Sequence, residues 1–566
     1  MSIKLSIVLI AAALTAAACQ SAQRAAPSTA HPPSPVADAE RAVPPPGHQP
    51  RPQIAAKRQR LAESAIAFSY AGHGRALAIR PMPAPPPNRM YRENYEHPDS
   101  NPVHLVAKQP VSTFSVDVDT ASYANVRRML EAGRLPPQAA VRVEELINYF
   151  DYHYAVPRNA NRPFGVTVAM APTPWNSNTQ LLQIGIQGWK PTGEPPPANL
   201  VFLVDVSGSM RPQNKLPLLK SSLKLMVEQL RPQDHVSLVT YAGTTRVALE
   251  PTPGDQKARI IAAINGLGAG GSTNGEAGIQ LAYNMARQGF IEHGINRVLL
   301  ATDGDFNVGV TSFEALIDLA ERKRDTGVAL TTLGFGAGNL NDHLMEQLAD
   351  AGDGNYAYID SLAEAQRVLV KHYAATTRTI ARDVKVQIEF NPTVVREYRL
   401  IGYANRMLER EDFNNDNVDA GDIGAGHTVT ALYEIALAGS GGAYSDPLRY
   451  RDGAPEAPAK RNELAFLRLR YKAPDGEHSQ LIERPIERSQ SQPLAQTSDA
   501  FRFAAAVAAF GQLLRGGKYT GSYTYQDVLA LARNARASDA GGRRGEFVQL
   551  VQLADGLGNS ITQAKR

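Results

Sequence analysis

Cysteine is almost absent from the chain, which has one, Cys19, among 566 residues. An intrachain disulfide is therefore excluded, and the fold has to be held by packing and by any metal that it binds. Neither sign of charge is in excess, because 59 Lys and Arg against 55 Asp and Glu give a formal net charge of +4. Without a basic cluster, the composition gives no support for nucleic-acid binding. A chain of this length predicts about three or four domains.

The N-terminal apolar run is too short to cross a bilayer. Residues 5–18 are mainly apolar and follow Lys4. As a helix they would extend only about 21 Å, whereas the hydrocarbon core of a membrane is about 30 Å thick. A short apolar run behind a positive charge is typical of a cleaved signal peptide.

The residues around Cys19 resemble a bacterial lipoprotein signal. Three alanines precede the cysteine and Gln20 follows it. The resemblance implies a signal peptide at residues 1–19, lipidation of Cys19, and a protein anchored in the cell envelope, on the outer membrane because Gln20 is not aspartate. Ala16 stands where leucine is commoner, so an ordinary secretory signal cleaved nearby is the alternative.

The rest of the chain is organised around a short apolar run that ends in a carboxylate. Residues 201–204 are apolar, and Asp205, Ser207 and Ser209 follow at alternate positions. A short apolar run bounded by a turn predicts a strand buried on both faces, and residues 215–230 have the apolar spacing of a helix. The turn therefore lies between a buried strand and a helix, where ligands bind in open α/β sheets.

Two further turns carry oxygen ligands. A glycine-rich loop contains Thr273 before a predicted helix at residues 276–288, and a second apolar strand ends in Thr302 and Asp303. Carboxylates and hydroxyls suit Mg²⁺, which prefers near-octahedral oxygen ligands and usually keeps some waters. Gly208 allows the backbone to turn back so that the side chains of the first turn converge.

Together these turns resemble the metal-ion-dependent adhesion site of von Willebrand factor type A domains. The resemblance implies that the ion is Mg²⁺, or Ca²⁺ or Mn²⁺, and that a glutamate or aspartate of a protein partner fills its open position. A structural turn with capping hydroxyls is the alternative interpretation. By this resemblance the metal ligands are Asp205, Ser207, Ser209, Thr273 and Asp303.

Strands and helices alternate through the same region, which predicts a doubly wound, mostly parallel α/β sheet with helices on both faces. Strands with alternating apolar residues flank it on both sides and predict a β-sandwich into which the α/β domain is inserted. The predicted layout is a disordered Pro/Ala-rich linker at 20–100, an N-terminal segment at 101–157, the sandwich at 158–192 and 380–485, the type A domain at 196–377, and a helical module at 495–566.

The segments outside the α/β domain are similar to those of a bacterial group of type A domain proteins, the YfbK-like family. The similarity covers roughly residues 90–566, and residues 111–154, with their Phe-Ser-Val-Asp-Val-Asp and Leu-Ile-Asn-Tyr-Phe sequences, and the C-terminal helices carry it outside the α/β domain. Asp119 and Thr120 precede a predicted helix, so we expect them to cap it. A second metal site at Asp117 and Asp119 is the alternative.

We therefore expect a metal-dependent protein-binding module rather than an enzyme. Phosphoryl transfer is the first alternative, because an Asp at a strand end beside Mg²⁺ could accept a phosphoryl group. Phosphatases of that kind place a second aspartate two residues on, where this chain has Ser207. Neither a Gly-x-Ser-x-Gly elbow nor a His-Glu-x-x-His zinc motif occurs. The second alternative is an envelope assembly or scaffold factor that acts independently of the metal site.

Overall fold

The computed structural model describes residues 93–95, 99–116, 118–272, 275–304, 313–373, 378–446, 462–474, 476–536, 539 and 541–564. The predicted signal peptide with Cys19, residues 20–92 of the predicted linker, Asp117 and Thr273 lie outside these residues. Within them, no helix combines the length and the apolar character that crossing a membrane requires.

The strands that the structure describes are numbered here in chain order. They are β1 His104–Leu105, β2 Val111–Ser115, β3 Phe164–Thr173, β4 Asn176–Gly188, β5 Ala198–Asp205, β6 His235–Tyr241, β7 Thr245–Pro253, β8 Ile295–Thr302, β9 Ala329–Phe335, β10 Tyr356–Ile359, β11 Thr379–Phe390, β12 Val395–Ile401, β13 Ile423–Gly424, β14 Thr428–Leu437, β15 Glu463–Lys472 and β16 Ser479–Glu487.

The α-helices are numbered in the same way. They are α1 Ala121–Glu131, α2 Val143–Asn148, α3 Leu216–Val227, α4 Lys257–Asn265, α5 Gly275–Gln288, α6 Phe313–Arg324, α7 Asp342–Ala351, α8 Leu362–Gln366, α9 Asp499–Leu514, α10 Tyr525–Arg533 and α11 Arg543–Ala564. A π-helical turn, Arg367–Lys371, continues α8.

The central sheet has the strand order β10-β9-β8-β5-β6-β7. All neighbouring strands are parallel except β6 and β7, which are antiparallel. This arrangement confirms the predicted doubly wound sheet. The chain leaves β5 in one direction to build β6 and β7 and returns on its other side to build β8, β9 and β10, so the strand order reverses between β5 and β8.

Strand β5 shows why the sheet is buried on both faces. Leu200, Phe202 and Val204 belong to the apolar core that contains α3, α4 and α8. Val201 and Leu203 point to the opposite face and belong to the core that contains α5, α6 and α7. Because successive side chains of a strand alternate between faces, an uninterrupted apolar run is what a sheet between two helical layers requires.

Two antiparallel sheets flank the α/β unit and enclose one apolar core. One sheet has the order β1-β12-β14-β4-β3, and the other contains β13-β11-β15-β16 with β2 also paired to β11. Strand β4 precedes the α/β unit in sequence and pairs with β14, which follows it. The flanking β-sandwich predicted from the sequence is therefore made of strands from both sides of the α/β unit. Strands β1 and β2, from the predicted N-terminal segment, also belong to it.

Helix α1 covers the edge strand β10, and the expected capping of this helix is wrong. Thr120 occupies the N-cap position without a side-chain capping hydrogen bond. Its hydroxyl instead accepts a hydrogen bond from Arg367 at 2.6 Å, and Asp119 accepts one from the backbone N–H of Tyr356 at 2.9 Å. Both side chains are buried, and in these contacts they satisfy donors of the α/β unit.

Buried arginines join the N-terminal segment to the α/β unit. Arg142 pairs with Asp342 at 2.6 Å, and Arg127 pairs with Asp360 at 2.5 Å and with Glu364 at 3.0 Å. The C-terminal helices α9, α10 and α11 share a further apolar core with α1 and α2. The N-terminal segment is thus packed between the α/β unit and the C-terminal helices.

Candidate metal site

The candidate site lies where the strand order of the central sheet reverses. Strands β5 and β8 are parallel neighbours, with Val204 opposite Ala301. Asp205 ends β5, and Asp303 directly follows β8. Because the carboxyl ends of parallel strands meet at one edge of the sheet, the two carboxylates lie at the crevice where ligands of such sheets bind.

Asp205 is fully buried and held by two hydrogen bonds. The backbone N–H of Ser207 donates to its Oδ1 at 2.8 Å, and the Thr302 hydroxyl donates to its Oδ2 at 2.9 Å. The Ser207 hydroxyl also interacts with this carboxylate. The backbone N–H of Gly304 in turn donates to Thr302 at 3.1 Å, which fixes the hydroxyl between the two strand ends.

Ser207 and Ser209 turn towards each other. Their hydroxyl oxygens are 3.0 Å apart. The backbone of this turn is joined to the glycine-rich loop, because the N–H of Gly208 donates to the carbonyl of Gly271 at 3.0 Å. The N–H of Gly270 also donates to the carbonyl of Val206 at 2.7 Å. The structure therefore places the start of this loop beside the turn, although Thr273 itself lies outside the described residues.

The structure adds a cation that the sequence analysis missed. Lys215, which immediately precedes α3, donates from Nζ to Oδ2 of Asp303 at 2.7 Å. It also donates to Asn339 at 2.7 Å, and Asn339 donates to the same Asp303 oxygen at 3.1 Å. Lys215 and Asp303 are both buried. The stem of Lys215 passes over Gly336, where even a Cβ atom would meet it at 2.2 Å.

The loop that carries Asn339 is held by Glu93 and Asn94, which the sequence analysis placed in the linker at 20–100. The backbone N–H of Gly338 donates to Glu93 at 2.7 Å, and Asn94 and Asn341 form an isolated parallel bridge. Arg128 of α1 pairs with Glu93 at 3.1 Å. The position of the Asn339 side chain at Asp303 is thus supported from outside the α/β unit.

The electrostatics of the site favour an added positive charge. The pKa of Asp205 is raised to about 6 by burial and by the neighbouring charge of Asp303, which outweigh the hydrogen bonds from Ser207 and Thr302 that lower it. Two carboxylates are thus brought together where water cannot screen them well. A divalent cation would relieve this unfavourable interaction.

The side chains that the structure describes fit a hard divalent ion. Two carboxylates and two hydroxyls are oxygen donors of the kind that Mg²⁺ prefers. The described residues contain no cluster of three or more His, Cys, Asp or Glu side chains that could hold a metal, so a soft-metal site of that kind is not found among them. Asp205, Ser207, Ser209 and Asp303 are brought together as predicted, and the role of Thr273 stays a prediction.

A doubly wound sheet with an Asp-x-Ser-x-Ser turn at its reversal point is the arrangement of a von Willebrand factor type A domain. The family model with this description matches residues 199–371, which confirms the predicted domain type. A second model, described as von Willebrand factor, matches residues 89–183. A third, described as uncharacterized protein YfbK, C-terminal, matches residues 375–557.

The chain belongs to the YfbK family. It is 49% identical over 471 residues to the uncharacterized protein YfbK of Escherichia coli K12, covering 82% of this chain and 81% of that protein. The human inter-alpha-trypsin inhibitor heavy chain H3 is 27% identical over 262 residues, which cover 43% of this chain and 29% of that one. A solved structure described as von Willebrand factor type A from Catenulispora acidiphila has a TM-score of 0.39 and 16% identity, covering 68% of this chain and 88% of that chain.

We predict that Asp205→Asn stabilises the metal-free protein at pH 7 by up to about 3 kcal/mol, the equivalent of a two-unit pKa shift. The pKa of Asp205 is raised from 3.8 to about 6 in the folded state. Its contribution to stability is therefore fully present below about pH 4 and is lost as the pH rises through about 6. The asparagine side chain does not titrate, so the variant does not lose stability in this way as the pH rises.

Urea unfolding in chelator between pH 4 and pH 7 measures the effect as the difference between the parent and the variant. Other buried carboxyls with raised pKa values, such as those of Asp353 and Asp422, titrate in both proteins and cancel in the difference. If the difference in unfolding free energy between the parent and the variant does not change with pH, the prediction that the ionised form of Asp205 is disfavoured is wrong.

We also predict that Lys215→Met destabilises the metal-free protein by about 3–5 kcal/mol, because it leaves a buried carboxylate without its partner. Methionine keeps the apolar stem that passes over Gly336, so the change removes chiefly the charge. Millimolar Mg²⁺ is expected to restore part of the loss. The exposed Lys108 provides the control Lys108→Met, and an equal shift of the thermal midpoint in both variants would contradict the prediction.

Proposed function

We propose that this protein binds a partner protein through a divalent cation held by its type A domain, and that the partner supplies a carboxylate. The observation that carries the proposal is the convergence of Asp205, Ser207, Ser209 and Asp303 at one crevice of the sheet. Thr273 joins them by resemblance to the adhesion site of type A domains. We infer Mg²⁺ as the ion, with Ca²⁺ or Mn²⁺ as alternatives.

Each residue has a distinct task at this site. Asp205 is the carboxylate ligand at the end of β5, oriented by hydrogen bonds from Ser207 and Thr302. Ser207 and Ser209 add neutral oxygens from the same turn. Asp303 is oriented by Lys215 and Asn339. When bound, the ion supplies a coordination position that a carboxylate oxygen of another protein can occupy.

The charge balance favours an anionic partner more strongly than the sequence indicated. Two carboxylates alone would bring a divalent ion to a near-neutral sum. Lys215 lies 2.7 Å from Asp303 and adds one positive charge to the same site. The loaded site would therefore carry a net positive charge, and a partner glutamate or aspartate would compensate it in a poorly screened environment.

We predict that chelation and Asp205→Ala both abolish capture of the partner from a cell-envelope extract. Capture should be lost in both cases, because the chelator removes the ion and the substitution removes one of its ligands. The exposed Asp255 of the same domain gives the matched control Asp255→Ala, which should capture the partner as the parent does. Circular dichroism checks that the variants are folded. Mass spectrometry identifies the captured protein, and its capture is then repeated with the purified partner.

The same experiment separates the alternatives. A specific partner that is captured equally in chelator and by Asp205→Ala would favour a scaffold factor that uses other surfaces. Calorimetry with Mg²⁺ and Mn²⁺ on the purified full chain tests the ion independently of any partner. If neither ion binds, or if Asp205→Ala binds as the parent does, the metal-dependent function is wrong.

We further propose that the protein is a lipoprotein of the cell envelope, anchored through Cys19 to a bacterial membrane, the outer one. The support is the lone cysteine behind a short apolar run and three alanines. The prediction is that the mature N-terminus is an acylated Cys19, detected by mass spectrometry of the membrane fraction. Cys19→Ala should leave the membrane fraction. An unmodified Cys19 in the mature protein would exclude the anchor.

A further inference from the structure

A separate cavity lies at the junction of the α/β unit with its neighbours. Its volume is about 150 Å³. The N-terminal segment contributes Tyr149 to its wall, the π-helical turn contributes Arg367, the loop before β14 contributes His427, and the first residue of α11, Arg543, completes it. All the parts that surround the α/β unit therefore meet at this cavity, and none of the candidate metal ligands lines it.

Two arginines give the cavity a positive character. Arg367 uses Nε and Nη2 to bind Glu364 and Thr120, at 2.7 and 2.6 Å. These contacts leave its Nη1 group without a hydrogen-bond partner among the described residues. Arg543 forms no ion pair within the described part of the chain, and its guanidinium lies 5.9 Å from the centre of the Tyr149 ring. Two N–H donor groups with positive charge are thus available at one cavity.

A buried histidine adds an unsatisfied polar atom. Nδ1 of His427 is buried and has no hydrogen-bond partner within the described residues. The ring of His372 also lines the cavity, 6.4 Å from that of His427. Burial and the positive charge of Arg367 together lower the pKa of His427 to about 4. A buried polar atom without a partner costs about 1–3 kcal/mol. In the tautomer of the neutral ring that is protonated at Nδ1, an occupant that accepts a hydrogen bond here would be favoured.

Asp151 is the carboxylate on the cavity wall, and it is exposed to solvent. Its Oδ1 accepts a hydrogen bond from the backbone N–H of His153 at 2.7 Å. Glu364, which lies behind Arg367, is shared with Arg127. The acidic groups are therefore solvated or already paired. Among the described residues that form the wall, no carboxylate pairs with Arg543 and no group hydrogen-bonds to Nδ1 of His427.

We propose that this cavity binds a small anion with a carboxylate or phosphate group, held by Arg543, Nη1 of Arg367 and His427. The anion would accept hydrogen bonds from all three groups and compensate the unpaired charge of Arg543. The cavity is of a size for a compact anion and too small for a nucleotide or a saccharide chain. Because its wall is built from every part around the α/β unit, an occupant would also hold these parts together.

Calorimetric titration of the full chain with inorganic phosphate, and in a second series with acetate, tests the proposal. Glycerol is the uncharged probe and should not bind. We expect saturable one-to-one binding of at least one anion, and the phosphate and acetate series distinguish the two ligand classes. The thermal midpoint should rise with the anion that binds, because a ligand of the native state stabilises it.

Arg543→Gln and His427→Gln should each weaken the binding at least tenfold. The exposed Arg533 of α10 gives the matched control Arg533→Gln, which removes the same charge and should leave the affinity unchanged. Arg543 is only half-buried, so its substitution is expected to fold, as checked by circular dichroism. The absence of saturable binding for both anions, or equal affinity in Arg543→Gln and the parent, would overturn the proposal.

Discussion

Two buried carboxylates at the ends of neighbouring strands are the constraint on which the candidate site depends. Asp205 and Asp303 are both fully buried, and the ionised form of Asp205 is disfavoured by burial and by the charge of Asp303. The chain supplies one compensating charge, Lys215, at 2.7 Å from Asp303. Among the described residues no cation pairs with Asp205, which accepts hydrogen bonds from the neutral donors Ser207 and Thr302. The protein itself therefore compensates one of the two negative charges. The other, on Asp205, lies beside the serine hydroxyls, where a divalent ion would compensate it.

The segments around the α/β unit are fixed to it by charge as much as by apolar packing. Arg142 reaches Asp342 of α7 across 200 residues of sequence, and Arg127 pairs with both Asp360 and Glu364. Buried pairs of this kind add little net stability but are costly to break. They therefore specify one docking geometry for the N-terminal segment. That geometry also fastens the loop that presents Asn339 to Asp303, through Glu93.

Local patterns predicted the elements of the fold and most of the candidate site. The apolar run before Asp205 and the similar run before Thr302 indicated buried strands, and the order of the turns indicated that their carboxyl ends would meet. Lys215 could not be predicted as a partner of Asp303, because a lysine before a helix is ordinarily exposed and the pair is 88 residues apart in sequence. Asp119 was misassigned for the same reason, since the N–H that it binds belongs to Tyr356, 237 residues away.

Helix α3 connects the two candidate sites physically. It begins directly after Lys215 and packs through Leu219 and Leu223 in the same apolar core as Val368 and Leu369 of the π-helical turn. That turn begins at Arg367, which lines the junction cavity. A change in the Lys215–Asp303 pair therefore bears on a helix in direct contact with the cavity wall. Contact alone does not establish coupling. Any coupling that exists has to be reciprocal, so an anion that alters ion affinity would have its own affinity altered by the ion to the same factor.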